Sequence, residues 1–352
     1  MIKGKINKYN TVFVVLLVFA KISNSQVSSP FNNHKLIDTS AVYSFIVSGH
    51  FHGSSTNKST FPASSLLANI DTLNSLHPLF LMSLGDMFVD VNEQYIQHYK
   101  TSLFNKLNMP LFNAVGNHDV SNGNMYEKVF GKSFFYIKTG SEFFIVLNTE
   151  INDGSIEGDQ LAFLSDALKS ASSSKNIFIF SHRPVWSENY DRYKYLFADN
   201  TRTAIGKNNF ESTIKPLLFE SAKAKNIFWI SGSLGGGPAS FFYDKDPETN
   251  VHFMQTAIRD MPRDAALQVT VNNGIVSFNG ISFSGEKLNS VESYNIDYWN
   301  KTIAPEKEFN LRLLPYLAKQ MLLHYYFWIG FVSSLLLLFI LRFLFVKWKR
   351  KG

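Results

Sequence analysis

Short apolar runs alternate with amphipathic segments along most of this 352-residue chain. Runs of strand length lie at 42–49, 79–86, 110–119, 176–184 and 226–233, and helical spacing of apolar residues lies at 64–76, 93–107, 158–171 and 211–224. Two hairpins are predicted, one around Gly140-Ser141 and one at Asn273-Gly274, a dipeptide typical of two-residue turns. Alternation of strands and helices favours an α/β or mixed α+β layer fold.

The first 25 residues have the pattern of a secretory signal peptide. Lys3, Lys5 and Lys8 precede an apolar run at 11–20, and Ser23-Asn24-Ser25 is a small-x-small cleavage sequence. The alternative is an uncleaved anchor helix, which a run of about ten residues is too short to form across a bilayer. We therefore predict that residues 1–25 direct export.

The other end of the chain has the pattern of a transmembrane helix. Residues 323–346 are mostly apolar, with aromatic side chains at the start, and basic residues follow at once in 347–352. This predicts a single-pass type I protein with its domain outside the cytoplasm, periplasmic or extracellular, and a cytoplasmic basic tail. The domain is predicted at 40–290, and a partly helical connector at 291–322.

Charge and cysteine content narrow the class of protein further. The formal net charge is +6, but nine of the 34 Lys and Arg lie in the two end segments, which leaves 25 against 28 Asp and Glu. The exported part is thus slightly acidic, and no nucleic-acid partner is expected. There is no Cys, so disulfides and thiol nucleophiles are excluded.

Polar residues with metal-ligand chemistry follow four of the predicted strands. In open α/β sheets, sites form beyond the carboxyl ends of the strands. Glycines beside these residues allow sharp turns and close approach. The residues concerned are His50 and His52 in "GHFHG", Asp86 and Asp90 in "GDMFVD", Asn117, His118 and Asp119 in "GNHD", and His182 in "SHRPVW".

These blocks, in this order, resemble the calcineurin-like metallophosphoesterases, in particular the purple-acid-phosphatase-like branch. The family pattern is G-D-x-H-G, G-D-x-x-D, G-N-H-(D/E), a lone His and G-H-x-H, and the resemblance covers roughly residues 42–285. It implies a two-sheet sandwich flanked by helices. It also implies two metal ions about 3.5–4 Å apart that polarise a phosphoryl group and generate a hydroxide.

The resemblance also implies a role for each residue. Asp86 would bridge both metal ions, His52 would bind the first, and Asn117 and His182 would bind the second. His118 would bind no metal and would stabilise or protonate the leaving oxygen. Asp90 and Asp119 would orient the ligands. Each residue also has a structural interpretation, because Asp and Asn favour turns and caps and a loop histidine is often satisfied locally.

The chain departs from the family pattern at two places. His50 stands where the first block has an acid, and Ser233 and Gly235 stand where the last block has histidines. Two divalent ions would then share one carboxylate and repel by about 4 kcal/mol at an effective dielectric of 20. The hypothesis is a single metal ion, bound by His52, Asp86 and either His50 or His182. The cofactor is one or two ions of Zn, Fe, Mn or Ni.

Two further features have open interpretations. The glycine-rich segment at 232–237, with Gly232, Ser233 and Gly235, is either an anion-binding loop or a loose loop. His252 is either a substitute ligand or an ordinary surface or strand histidine.

Two functions follow from these features. One is an exported, membrane-anchored hydrolase of a phosphomonoester or phosphodiester, whose substrate is a phosphorylated small molecule, lipid or glycan. The other is a catalytically impaired relative that serves as a binding or scaffold domain at the envelope membrane.

Overall fold

The structure is a computed structural model of the whole chain. It describes residues 27–37, 41–140, 142–187, 191–193, 196–197, 208–234, 237, 239–302, 314–323 and 325–349. The predicted signal peptide lies outside the described residues.

The first sheet has five strands in the order β11-β10-β1-β2-β3. The first site motifs follow β1, β2 and β3, and these three strands run parallel. β10 pairs antiparallel with both β1 and β11. The turn at Asn273-Gly274 joins β10 to β11 as predicted. The strands are β1 (Val42–Ser48), β2 (Leu81–Ser83), β3 (Leu111–Asn113), β10 (Ala265–Asn272) and β11 (Ile275–Ser282).

The second sheet has six strands in the order β4-β5-β6-β7-β9-β8. Four neighbours, β5, β6, β7 and β9, run parallel, and the edge strands β4 and β8 are antiparallel. β8 and β9 were not predicted from the sequence. The strands are β4 (Phe135–Thr139), β5 (Glu142–Val146), β6 (Asn176–Ser181), β7 (Asn226–Ser231), β8 (Phe241–Lys245) and β9 (Val251–Thr256).

The two sheets pack face to face through aromatic side chains. The ring of Phe45 in β1 meets Phe144 edge-on at 5.4 Å and Phe178 at 5.0 Å, both from the second sheet. Such pairs stabilise a core by about 0.5–1.5 kcal/mol beyond the area that they bury. Ile46 points to the opposite face, as strand alternation requires. The prediction of a mixed α/β fold with two sheets is confirmed.

Helices cover the outer faces of both sheets. Leu66, Leu73 and Tyr99 pack with Ile46 and Leu81 on the outside of the first sheet. Buried residues of α5 and α6 belong to the core that includes the second sheet. The helices are α1 (Ser64–Ala68), α2 (Ile70–Ser75), α3 (Glu93–Ser102), α4 (Met125–Phe130), α5 (Gly158–Ser170), α6 (Lys215–Ala222), α7 (Ile296–Thr302), α8 (Leu314–Leu323) and α9 (Tyr325–Lys349).

The packed region extends beyond the predicted domain boundary at residue 290. Val291, Tyr294 and Trp299 are buried, and the indole N–H of Trp299 donates to the carbonyl oxygen of Phe241. The first part of the predicted connector is thus packed against β8.

The last described helix, α9, is long and apolar enough to cross a membrane by its length and composition. Its segment Tyr325–Lys347 has a mean hydropathy of 2.5 and is not buried against the rest of the protein. Among the described residues it is the one helix with these properties.

Candidate metal centre

The site lies where the carboxyl ends of parallel strands from both sheets meet. β1, β2 and β3 contribute from the first sheet, and β6 contributes from the second. The sheets are joined beside it, because Gly49 forms a bridge with Ala257: its N–H donates to Thr256, and its carbonyl oxygen accepts from Ile258. The docking of two sheets thus brings together motifs that are more than 100 residues apart.

Three imidazole rings surround one carboxylate oxygen. Oδ2 of Asp86 lies 3.3 Å from Nδ1 of His50, 3.6 Å from Nε2 of His52 and 3.5 Å from Nε2 of His182. All four side chains are buried. The structure therefore brings together four of the five predicted metal ligands.

The backbone at two of these residues is left-handed. His50 has a φ of 55° and Asp86 a φ of 54°, a region that is uncommon for residues other than glycine and is concentrated at functional sites. In an extended strand His50 and His52 would point the same way, because alternate side chains share a face. They do converge, but through a turn in which the N–H of His50 donates to Gly85.

A hydrogen bond of His182 shows which of its two ring nitrogens carries the proton. Nδ1 lies 2.9 Å from the carbonyl oxygen of Leu84, so Nδ1 carries the proton. In the neutral ring Nε2 then presents a lone pair to Oδ2 of Asp86, and two acceptors face each other. A cation between them removes this conflict, which is the arrangement of a metal-binding histidine oriented by a carbonyl group.

Unpartnered nitrogens support the same interpretation. Both ring nitrogens of His52 are buried and have no hydrogen-bond partner among the described residues. Two groups of side chains, both including Asp86, have ligand atoms within 4.8 Å of one another: one with His50 and His182, the other with His52 and His118. The residues present therefore fit a divalent metal ion.

The surrounding charges favour an ionised Asp86. Burial alone would raise the pKa of its carboxyl group, but His182, His118 and His50 outweigh burial and hold that pKa well below its usual range. Burial, together with the guanidinium of Arg259, lowers the pKa of His50 well below its usual range. The centre is thus one anion among rings that are suited to bind a cation as neutral ligands.

His118 contacts the centre through its backbone and its ring. Its N–H donates to Oδ1 of Asp86 at 3.0 Å, and its Nδ1 lies 2.8 Å from the carbonyl oxygen of Val89. Burial opposes protonation of the ring, but the negative charge of Asp86 dominates and raises the pKa of His118. Nε2 is the atom left to bind a metal ion or to transfer a proton.

Asn117 is half-buried in the turn between two residues that touch Asp86. On one side is His118. On the other is Gly116, where an added Cβ would lie 2.3 Å from Oδ1 of Asp86. Only glycine therefore lets this turn approach the carboxylate so closely, as the pattern of glycines predicted.

The two predicted orienting aspartates differ in their surroundings. Asp119 is buried and accepts from the N–H groups of Phe88 and Gly116 and from the amide of Asn113, which ties the turn after β2 to the turn after β3. Asp90 accepts from Asn92 and from the hydroxyl of Ser121 at the surface. Asp119 thus shapes the backbone around Asp86, and Asp90 joins the same two turns at their outer edge.

The first backbone N–H groups of the glycine-rich segment are hydrogen-bonded within the protein. Gly232 donates to Ser181 and His182, and Ser233 donates to His182, so these groups hold the turn after β6 rather than face an open site. Gly235 lies outside the described residues. His252, the other residue whose role the sequence leaves open, lies near the start of β9. Its ring stacks on Phe228 at 4.6 Å, and its Nδ1 lies 2.9 Å from the hydroxyl oxygen of Tyr243. It is therefore an ordinary strand histidine.

Two basic residues were missed by sequence reasoning. Arg183 forms a buried two-pronged ion pair with Glu150 directly after His182. Nη2 of Arg259 lies 3.4 Å from Nε2 of His50. Arg259 follows β9, a strand that was not predicted, so no pattern placed it beside the centre.

Comparisons with known proteins give distant similarities. No family model and no curated protein matches the chain. A purple acid phosphatase from seeds of yellow lupin (Lupinus luteus) is 10% identical, with a TM-score of 0.46 over 72% of this chain and 53% of that one. A cold-active protein-tyrosine phosphatase of a psychrophilic Shewanella is 12% identical, with a TM-score of 0.29 over 67% of this chain and 80% of that one. The chain spans about half the length of the lupin protein.

Proposed function

We propose that this protein is a metal-dependent phosphoric ester hydrolase, held at a membrane by α9 with its two-sheet domain outside the cytoplasm. The observation that supports it is the convergence of three buried imidazoles on Oδ2 of Asp86, with His118 beside them. The order of the motifs, which resembles that of the metallophosphoesterases, supplies the reaction class. The substrate is a phosphomonoester or phosphodiester.

The metal ion would be bound by Asp86, His50 and His182, whose ligand atoms lie within 4.8 Å of one another, with His52 beside them. One carboxylate and several imidazoles suit Zn, Fe, Mn or Ni. When bound, such an ion polarises a phosphoryl oxygen and lowers the pKa of water to near 7.

The chain's own contribution to ester cleavage is proton transfer by His118. Its ring is fixed because Nδ1 donates to the carbonyl oxygen of Val89. Nε2 is then the atom that holds or releases a proton as the ester bond to the leaving oxygen breaks. Asp119 supports this position, since its carboxylate binds the backbone on both sides of the site.

A catalytically impaired binding domain is the second candidate. The observation that favours it is the last motif. Ser233 and Gly235 stand at its ligand positions, and the N–H groups of Gly232 and Ser233 bond to the chain itself. His50 stands where the family pattern has an acid, and this also removes a negative charge from the centre. Either change weakens the binding of two ions.

An assay of the full chain separates the two candidates. The protein, purified with a tag free of histidine, is supplied with Zn, Mn, Fe or Ni and an aryl phosphodiester or monoester. We expect turnover with at least one metal, loss of metal and turnover in Asp86→Asn, and retained metal with at least a hundredfold lower turnover in His118→Asn. Metal binding without turnover in the wild type would favour the binding domain. Metal loss in His118→Asn would make His118 a ligand.

A further inference from the structure

Arg259 lies at the edge of the metal centre, on the side of the second sheet. It follows β9, and Nη2 of its guanidinium lies 3.4 Å from Nε2 of His50. The other nitrogen of that ring, Nδ1, lies 3.3 Å from Oδ2 of Asp86. One imidazole ring therefore separates the guanidinium from the central carboxylate.

The backbone that carries Arg259 is held in place from both directions. The N–H of Ile258 donates to the carbonyl oxygen of Gly49, and the N–H of Arg259 donates to Oδ1 of Asp264. Asp264 is fully buried, and its Oδ2 accepts from the hydroxyl of Ser65 in α1. Arg259 thus starts from a fixed point beside the centre, as a preorganised binding residue requires.

Surface exposure indicates the side from which a substrate approaches the centre. Asp86 and the three imidazoles around its Oδ2 are at most 2% exposed, whereas His118 and Arg259 are half-buried. The guanidinium interacts electrostatically with both His50 and His118. A substrate that enters past His118 and Arg259 therefore meets a fixed positive charge.

A guanidinium at this place suits a phosphoryl group. Arginine keeps its charge and presents N–H donors in a planar fork that pairs with two phosphate oxygens at once. The non-bridging oxygens of a phosphoryl group point in different directions, so one can lie at the metal site of Asp86 while others face the guanidinium. Arginines placed in this way stabilise the negative charge of a phosphoryl group during its transfer.

We propose that Arg259 binds the non-bridging oxygens of the substrate's phosphoryl group, beside the metal site of Asp86, His50 and His182. It is a substrate-binding residue that comes from the segment between β9 and β10, outside the motifs that supply the metal ligands. The inference rests on the proposed function in that the substrate is a phosphoric ester. It does not require turnover, because a phosphate-binding centre can exist without hydrolysis.

Binding of inorganic phosphate tests this inference without an activity assay. Phosphate is titrated calorimetrically into the full chain in detergent, purified without a histidine tag, loaded with Zn²⁺ and freed of excess metal. We expect Arg259→Met to raise the Kd of phosphate at least tenfold while it retains the zinc content of the wild type. We expect Arg259→Lys to raise it at least threefold, because an ammonium keeps the charge but lacks the fork.

A matched control removes a positive charge elsewhere. Lys138→Met takes an exposed cation from edge strand β4 and should leave the Kd of phosphate unchanged. An equal loss in Lys138→Met and Arg259→Met would show that only the overall charge matters, and would overturn the inference. If Arg259→Met loses its zinc, the comparison of Arg259→Lys with the wild type decides in the same way.

The outcomes also separate this inference from the proposed function. Phosphate binding by both Arg259 variants within twofold of the wild type would overturn the inference, even if the wild type hydrolyses esters. Weaker phosphate binding in both variants, with no hydrolysis by the wild type, would support the inference and favour the binding domain over the hydrolase. A wild type that binds neither Zn²⁺ nor phosphate would overturn both.

Discussion

Nε2 of His182 lies 3.5 Å from Oδ2 of Asp86, while Nδ1 of the same ring lies 2.9 Å from the carbonyl oxygen of Leu84. Asp86 and Leu84 belong to the turn after β2, and His182 follows β6 in the other sheet. One imidazole therefore contacts both the backbone and the carboxylate of a turn in the opposite sheet. The centre exists only when the two sheets are docked.

Removal of the central carboxylate should abolish metal binding. In Asp86→Asn the imidazoles remain but the carboxylate that they surround is gone, so we expect less than a tenth of the wild-type metal per chain by elemental analysis. Asp90→Asn is the control, because Asp90 binds Asn92 and Ser121 and none of the imidazoles. Equal metal in Asp86→Asn and the wild type would show that the ion binds elsewhere.

Gly116→Ala should disturb the centre sterically. Its Cβ would lie 2.3 Å from Oδ1 and 2.5 Å from the backbone nitrogen of Asp86, so the turn must move. We expect about 1–3 kcal/mol of destabilisation, as for other overpacked positions, and at least tenfold weaker metal binding. Gly123→Ala is the comparison: no atom of the described residues lies within 4 Å of its Cβ, although its φ of 61° carries its own strain. If Gly123→Ala weakens metal binding equally, steric access to Asp86 is not the cause.

The buried ion pair of Arg183 and Glu150 should stabilise the fold directly after His182. The two side chains are only 5% and 2% exposed, so Glu150→Gln leaves a buried guanidinium without its anion and should cost about 3–5 kcal/mol. Arg183→Met should be similarly destabilising, and the double variant should recover part of the loss. Urea unfolding followed by tryptophan fluorescence gives the coupling. Strict additivity of the two changes would argue against a direct interaction.

His252 should make the protein less stable in acid. Burial and the nearby Lys245 lower its pKa from 6.5 to about 4 in the folded state. The unfolded chain therefore binds a proton first, so this contribution to stability is intact above pH 6.5 and is lost as the pH falls towards 4. One proton gives a slope of at most about 1.4 kcal/mol per pH unit.

A pair of substitutions isolates the contribution of His252. The free energy of unfolding of His252→Gln should fall less steeply than that of the wild type between pH 6.5 and 4. His34→Gln, at an exposed histidine, should retain the wild-type slope. Parallel curves for His252→Gln and the wild type would contradict the pKa shift.

The final helix should hold the protein in a membrane. A chain that ends at Thr302, the last residue of α7, lacks α8 and α9 and should appear in the soluble fraction after carbonate extraction. The full chain should remain in the pellet. A tag at the C-terminus should resist protease added from outside, because the basic residues after α9 favour the cytoplasmic side. A shortened chain that still pellets would show that α9 is not the anchor.

Much of the fold was predictable because it depends on local pattern. Period-two and helical spacings located most strands and helices, including the hairpin at Asn273-Gly274. Boundaries were less accurate: the predicted helix at 64–76 is interrupted at Asn69, and the one at 211–224 begins as a π-helical turn at Phe210–Ile214. β8 and β9 were missed because they are short, lack a clear period-two pattern and flank a segment rich in turn residues at 246–250.

The sequence by itself determined which residues end the strands, and therefore that His50, His52, Asp86 and His182 are available at one edge. Their spacing along the chain could not say which nitrogen of each ring faces the carboxylate. The tertiary structure decided that, because the decisive partners are a carbonyl oxygen at Leu84 and a guanidinium at Arg259, on the opposite sheet from the rings that they orient. Proton positions follow from contacts between sheets, and these form only when the sheets dock.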